Sequence, residues 1–277
     1  MEVLEAVQLS KTGDPGTCED RYCVTEHYAC VIDGATDVSG KRYDGMTSGQ
    51  IISRVIAETI PTLPPEAGIE SIMQRINEAL IGFYKTNGMY EAMTENAFSL
   101  PAAAMALYSR HQSAVWLIGD CQCMVDEELY VNPKKVDEIT ALARSLFLEA
   151  ELMKGKTIEQ LLEKDTGFDA VRPFIAMQYY MQNTRLETQY GYIAITGFDF
   201  DLSLIKTIPV KKHAAQLVLA SDGYPMAMAS LQQSEAYLRH ILEHDPLCFR
   251  EYKLAKGLVA GNVSFDDRTY LRLKPVE

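Results

Sequence analysis

Two apolar runs in this chain stop abruptly on an acid followed by glycine. Residues 28–32 lead into Asp33 and Gly34, and residues 216–221 lead into Asp222 and Gly223. Short continuous apolar runs of this kind read as buried strands. An acid at the end of such a strand is held rigidly by the sheet yet still reaches solvent. Between the two runs the period changes to helical. Ile51, Ile52, Val55, Ile56 and Ile60 recur at helical spacing after the opening Thr47, Ser48 and Gly49, and Pro61, Pro64 and Pro65 close that helix. Ile69, Ile72, Met73, Ile76, Leu80 and Ile81 mark the buried face of a second helix, which Asn87 and Gly88 break.

Residues 102–108 and 113–118 form the next two predicted strands and, joined by the short polar turn 109–112, read as a hairpin whose second strand delivers Gly119 and Asp120. From 136 to 182 the pattern is helical again, with Leu142, Leu146 and Leu148 in one segment and Ile158, Leu161 and Leu162 in another, and it carries no obvious chemistry. Strands are predicted at 190–195, 204–210 and 216–220, a helix at 231–243 and a final strand at 269–273. Strand-like segments at both ends, with helices inserted between and mostly hairpin-length connections, predict an α+β layered sandwich of mostly antiparallel sheets. With no repeat, low-complexity tract or linker to divide it, residues 1–277 are expected to form a single domain.

Composition narrows the function more than the fold. A chain of 277 residues that is 47% hydrophobic can bury a sizeable core. No stretch approaches the roughly 20 apolar residues that cross a bilayer. The first residues lack the basic start and apolar segment of a secretory signal, so a cytoplasmic protein with no membrane partner is expected. A net charge of −12 argues against nucleic acid as a partner and suggests acid concentrated for a purpose. Cys18, Cys23, Cys30, Cys121, Cys123 and Cys248 lack the paired spacing of a zinc ribbon and are expected to be reduced, buried thiols without disulfides.

The acids recur in a definite order: Glu19 and Asp20, Asp33, Asp120, Asp222, then Asp266 and Asp267. Carboxylates at strand ends suit hard cations such as Mg²⁺ or Mn²⁺. Glu19–Asp20, then residues 31–34, 119–121, 219–223 and 266–269, resemble the ordered motifs of the metal-dependent PP2C (PPM) protein phosphatases, in a divergent, bacterial-type form, over nearly the whole chain. The resemblance implies a four-layer α-β-β-α sandwich, two packed antiparallel sheets flanked by helices, with metals in a cleft at one sheet edge. It implies that Asp33 bridges two Mn²⁺ or Mg²⁺ ions, with the Gly34 carbonyl as a further ligand. Asp222 and Asp266 would complete one ion, and Glu19 and Asp20 would support the other, largely through water. Asp120 matches the position of a third, weaker metal in some bacterial members. Two divalent cations about 4 Å apart neutralise a phosphate dianion and acidify a shared water, so Asp33 and Asp222 would act in catalysis through that water. The implied substrate is a phosphoserine or phosphothreonine of a protein.

Two positions depart from the family's pattern. The Arg that many members carry shortly before Glu-Asp is absent between Lys11 and Cys18, which leaves Lys11 or Arg21 to bind phosphate, Lys11 without the bidentate grip of a guanidinium. Ala35 stands where eukaryotic members often place a general-acid His, and His27, His111, His213, His240 and His244 lie outside the motifs. Asp37 and Asp44 add acid nearby, in turn, capping or ligand roles. These gaps motivate two alternatives: a PP2C-like regulatory or binding module with weak turnover, and a phosphatase of a small phosphorylated metabolite. A competing motif, Asp199 to Ser203, matches the Asp-x-Asp-x-Ser pattern of haloacid-dehalogenase-like phosphatases. Its place in the last third of the chain, after Thr196 and Gly197 rather than an early parallel strand, favours an exposed loop. The sequon at Asn262 to Ser264 carries no weight in a cytosolic protein.

Overall fold

The computed structural model describes residues 1–35, 41–95, 100–211 and 213–275. Asp37 lies outside them.

Strand β3 (Tyr28–Gly34) serves two cores at once, because successive side chains point to opposite faces of a sheet. Tyr28, Cys30 and Ile32 pack with Ile51, Ile52 and Ile56 of α1 (Ser48–Thr59) and Ile72, Ile76 and Leu80 of α2 (Ile69–Thr86). Ala29 and Val31 turn the other way. The same alternation runs through β4 (Ala103–Ser109), where Met105 and Leu107 face the helices and Ala104, Ala106 and Tyr108 do not. With β2 (Arg21–Val24), β5 (Ala114–Ile118) and β8 (Lys206–Pro209), these strands form an antiparallel sheet in the order β2-β3-β4-β5-β8.

The second sheet joins β1 (Glu2–Leu9), β10 (Arg268–Lys274), β9 (Leu217–Ala220), β6 (Gln122–Val125) and β7 (Glu128–Tyr130), again all antiparallel. Its Leu217, Leu219, Leu271 and Leu273 meet Ala29, Val31 and Leu117 of the first sheet in a shared inner core. Val218, Ala220 and Tyr270 point outward against Leu238 and Ile241 of α7 (Leu231–His244). The layers therefore run helix, sheet, sheet, helix, as expected. No helix among the described residues is long and apolar enough to cross a membrane.

The predicted helical stretch 136–182 resolves into α4 (Lys135–Met153), α5 (Ile158–Glu163) and α6 (Thr166–Gln178). A small core of Leu148, Leu161, Leu247 and Phe249 ties α4 and α5 to the loop after α7. One more helix, α3 (Tyr90–Glu95), follows α2. Two strand expectations change. Residues 190–195 form only isolated bridges, Tyr192 with Gln182 and Ile195 with Ala103, because β4 offers that segment a single contact beyond its own ladder. The strand expected at 204–210 begins late, since Leu202–Leu204 is a 3-10 turn capped by the side chain of Asp201. Asp199 and Asp201 of the competing motif thus belong to a turn.

Candidate active site

The sheet edges bring the ordered acids to one end of the sandwich. Arg21 pairs with Ile32 across the β2–β3 ladder, so Asp20 and Asp33, each one residue further along, arrive side by side. Asp222 follows β9, and Asp266 and Asp267 precede β10, its neighbour in the second sheet. The two sheets are stitched together here by one hydroxyl. Ser221 Oγ donates to Asp20 Oδ2 at 2.7 Å and accepts from the Thr269 amide at 2.9 Å.

The glycines after Asp33 and Asp222 permit close approach of backbones. A Cβ on Gly223 would stand 1.9 Å from the Asp267 carbonyl oxygen, and one on Gly34 would stand 2.3 Å from that of Gly49. No side chain fits at such separations. Gly119, before Asp120, adopts a left-handed φ of +77° with its Cα against Ala104, a conformation that favours glycine.

Asp267 acts as a staple. Its Oδ1 accepts from the Lys11 amide at 2.7 Å and its Oδ2 from the Glu19 amide at 2.8 Å, which anchors the 10–20 loop beside β10. Glu19 Oε1 accepts from Thr47 Oγ1 at 2.6 Å, and the same Thr47 side chain caps α1 by accepting from the Gln50 amide. The helix start is thereby coupled to the carboxylates.

Three lysines enter the cluster. Lys11 Nζ lies 3.2 Å from Glu19 Oε2, 3.3 Å from Asp266 Oδ1 and 3.8 Å from Asp267 Oδ2. Lys256 pairs with Asp266 Oδ2, and Lys134 lies 2.7 Å from Asp120 Oδ2 and 3.6 Å from Asp137. Burial lowers all three ammonium pKa values, but the surrounding carboxylates outweigh it and raise them: chiefly Asp266 and Glu19 for Lys11, Asp266 for Lys256, Asp120 and Asp137 for Lys134. Burial likewise opposes ionisation of Asp266, yet Lys256 and Lys11 hold its carboxyl below the usual range.

Asp20, Asp33 and Asp222 behave oppositely. Burial pushes each carboxyl well up, and repulsion from neighbouring acids adds to it: Asp266 and Asp267 on Asp20, Asp20 and Asp266 on Asp33, and Asp33 and Asp120 on Asp222. Asp33 and Asp222 also act on each other, so ionising one opposes ionising the other. Among the described residues no three such side chains are drawn onto one centre as a closed ion cage. They crowd one another electrostatically instead.

The donor set nevertheless fits divalent cations. Seven carboxylates, Glu19, Asp20, Asp33, Asp120, Asp222, Asp266 and Asp267, face three ammonium groups. Fully ionised, the carboxylates outnumber the ammonium groups and leave an excess of negative charge. All the offered atoms are hard oxygens.

Glu19, Asp20, Asp33, Asp120, Asp222, Asp266 and Asp267 therefore reach this end of the sandwich, whereas Asp44 stands in an exposed turn. Lys11 arrives too, gripped by carboxylates. Arg21 stands on β2 with its Nε buried and without a hydrogen bond. Sequence reasoning missed Lys134, Lys256, Thr47 and Ser221. Thr47 alone left a signal, since Thr47 and Gln50 form a capping box at the start of an apolar helix. A cavity of about 590 Å³ lined by Val55, Glu58, Arg75 and Phe83 lies between α1 and α2, away from the carboxylates.

No family model matches this chain, and no curated protein does. Solved structures match over its whole length, loosely. The Mycobacterium tuberculosis serine/threonine phosphatase PstP/Ppp is 14% identical with a TM-score of 0.48, the match covering 99% of this chain and 98% of that one. Serine/threonine phosphatase Stp1 from Staphylococcus aureus is 13% identical with a TM-score of 0.48, covering 99% and 97%. The catalytic domain of PstP in complex with two manganese ions is 12% identical with a TM-score of 0.48, covering 97% and 96%.

Proposed function

We propose that this protein is a divergent PP2C-type phosphatase, a metal-dependent hydrolase of phosphoserine or phosphothreonine esters in proteins. The observation that carries the reading is the unbalanced carboxylate cluster at the edge of two packed sheets. Three of its members, Asp20, Asp33 and Asp222, are held in a state that only added positive charge or protons can relieve. Asp33, Asp222 and Asp266 would hold two Mn²⁺ or Mg²⁺ ions, with Glu19 and Asp20 in support. Bound there, the ions supply charge neutralisation for a phosphate dianion and acidify a water for in-line attack.

The chain's own residues do the rest. Ser221 and Thr47 fix the orientation of Asp20 and Glu19, so the carboxylate oxygens are placed before any ion arrives. Asp267 holds the 10–20 loop and with it Lys11, which balances charge from inside the cluster with its side chain 19% exposed. Lys256, paired with Asp266 and at 38% the most exposed of the three lysine side chains, would reach the phosphoryl oxygens as a point charge. A rigid constellation of this kind contributes through positioning. The site lies outside the cavity between α1 and α2.

The test is release of phosphate from an aryl phosphate and from a phosphothreonine peptide in Mn²⁺. Asp33→Asn and Asp222→Asn are each expected to lose at least about a hundredfold in rate, as loss of a metal carboxylate does. Wild-type rates in either variant would remove these residues from the mechanism.

A further inference from the structure

Cys23 and Cys30 sit directly opposite each other on β2 and β3. Opposed residues of an antiparallel pair have Cα atoms about 4.5–5.5 Å apart, inside the roughly 4.4–6.8 Å window that a disulfide spans. Their side chains leave the sheet on the same face, since Cys30 belongs to the core under α1 and α2 and Cys23 packs against that core. The two thiols influence each other: their proximity lowers the Cys23 pKa and, with burial, raises that of Cys30. Exposure differs as well. Cys30 is fully buried, whereas Cys23 lies on the edge strand of its sheet and is partly open to solvent.

We infer that Cys23 and Cys30 form a redox modification site, in which a peroxide converts the two thiols to a cross-strand disulfide. The Cys23 thiolate attacks one peroxide oxygen, the O–O bond breaks, and a sulfenic acid forms as water leaves. The Cys30 thiol then attacks that sulfur, gives up its proton, and displaces a second water as the S–S bond closes. Two thiols and one hydrogen peroxide yield one disulfide and two waters, the sulfurs being oxidised and the peroxide reduced.

The pair lies three residues from Asp20 on one strand and three from Asp33 on the other. At about 3.3 Å per residue the cross-link sits about 10 Å below the carboxylates. It clamps the same two strands that present them. Oxidation therefore fixes the edge strand β2, otherwise free to fray, onto β3.

The experiment uses the full chain, reduced, freed of reductant and treated with hydrogen peroxide, followed by alkylation under unfolding conditions and peptide mass mapping. The expected product joins the peptides holding Cys23 and Cys30 within one chain, with both lost to alkylation together, a higher Tm, and full reversal by dithiothreitol. In Cys30→Ser, Cys23 is expected to stop at the sulfenic acid and be trapped by dimedone. Independent alkylation of Cys23 and Cys30 after peroxide, or cross-linking of either to another cysteine or another chain, would overturn the inference. Should the variant fail to fold, the wild-type map decides alone. None of these readouts depends on phosphatase activity.

Discussion

An Asp-Gly pair ordinarily signals a turn, as Asp44-Gly45 does, but Gly34 and Gly223 are places where backbones touch. Gly223→Ala would force the end of β9 away from Asp267, so a loss of about 3 kcal/mol is expected in urea unfolding. An alanine variant as stable as wild type would contradict the close approach. Lys256 is the other residue whose role a single substitution isolates. In Lys256→Met, loss of a charge-assisted contact should raise KM for a phosphopeptide about tenfold and change kcat less. Equal loss in both, or none, would remove Lys256 from phosphate binding. Asp33 and Asp222 were readable from sequence because each ends an apolar run, and the other acids from their order along the chain. Lys256 was not, because a lysine in a loop looks like any solvated charge until the fold sets it against Asp266.

At the scale of elements, the stretch without motifs supports the loop that carries Lys256. Arg144 of α4 is fully buried, ion-paired with Asp165 at 2.5 Å, and donates to the carbonyls of Cys248 at 3.2 Å and Leu254 at 3.0 Å. Asp245 caps the turn that follows α7 by accepting from the amides of Phe249, Arg250, Glu251 and Tyr252. Together they shape the loop that ends at Lys256. Arg144→Leu leaves two carbonyls and a carboxylate without their partner. Asp165 is 23% exposed, so the expected cost is about 3 kcal/mol, at the lower end for a broken buried pair. The KM defect of Lys256→Met should appear in the same variant, and a normal KM there would uncouple the loop from the site. Helical periodicity located α4 but could not foresee this, since pattern reading places an arginine in solvent. β6 and β7 escaped for a different reason. At four and three residues they are too short for alternation to register. The run at 190–195 misled in the opposite sense, Ile193, Ala194 and Ile195 being buried with only a single bridge, from Ile195, to β4.

Over the whole molecule, the two sheets are joined at the carboxylate edge by groups that repel when ionised. Asp20, Asp33 and Asp222 have folded pKa values raised above the unfolded value of about 4, so the metal-free fold binds protons that the unfolded chain has released. Their contribution is favourable at low pH and is lost as pH rises through the folded values. Divalent ions need the ionised carboxylates, and the gain in Tm on adding Mn²⁺ is therefore expected to be larger near pH ~7.5 than near pH ~5.5. A gain independent of pH would mean that these groups do not take up the metal. The number of ions taken up is measured directly by calorimetric titration of the reduced protein with Mn²⁺. The account predicts two ions per chain in the wild type and a loss of at least one in Asp222→Asn; no uptake by the wild type, or unchanged uptake in the variant, would contradict it.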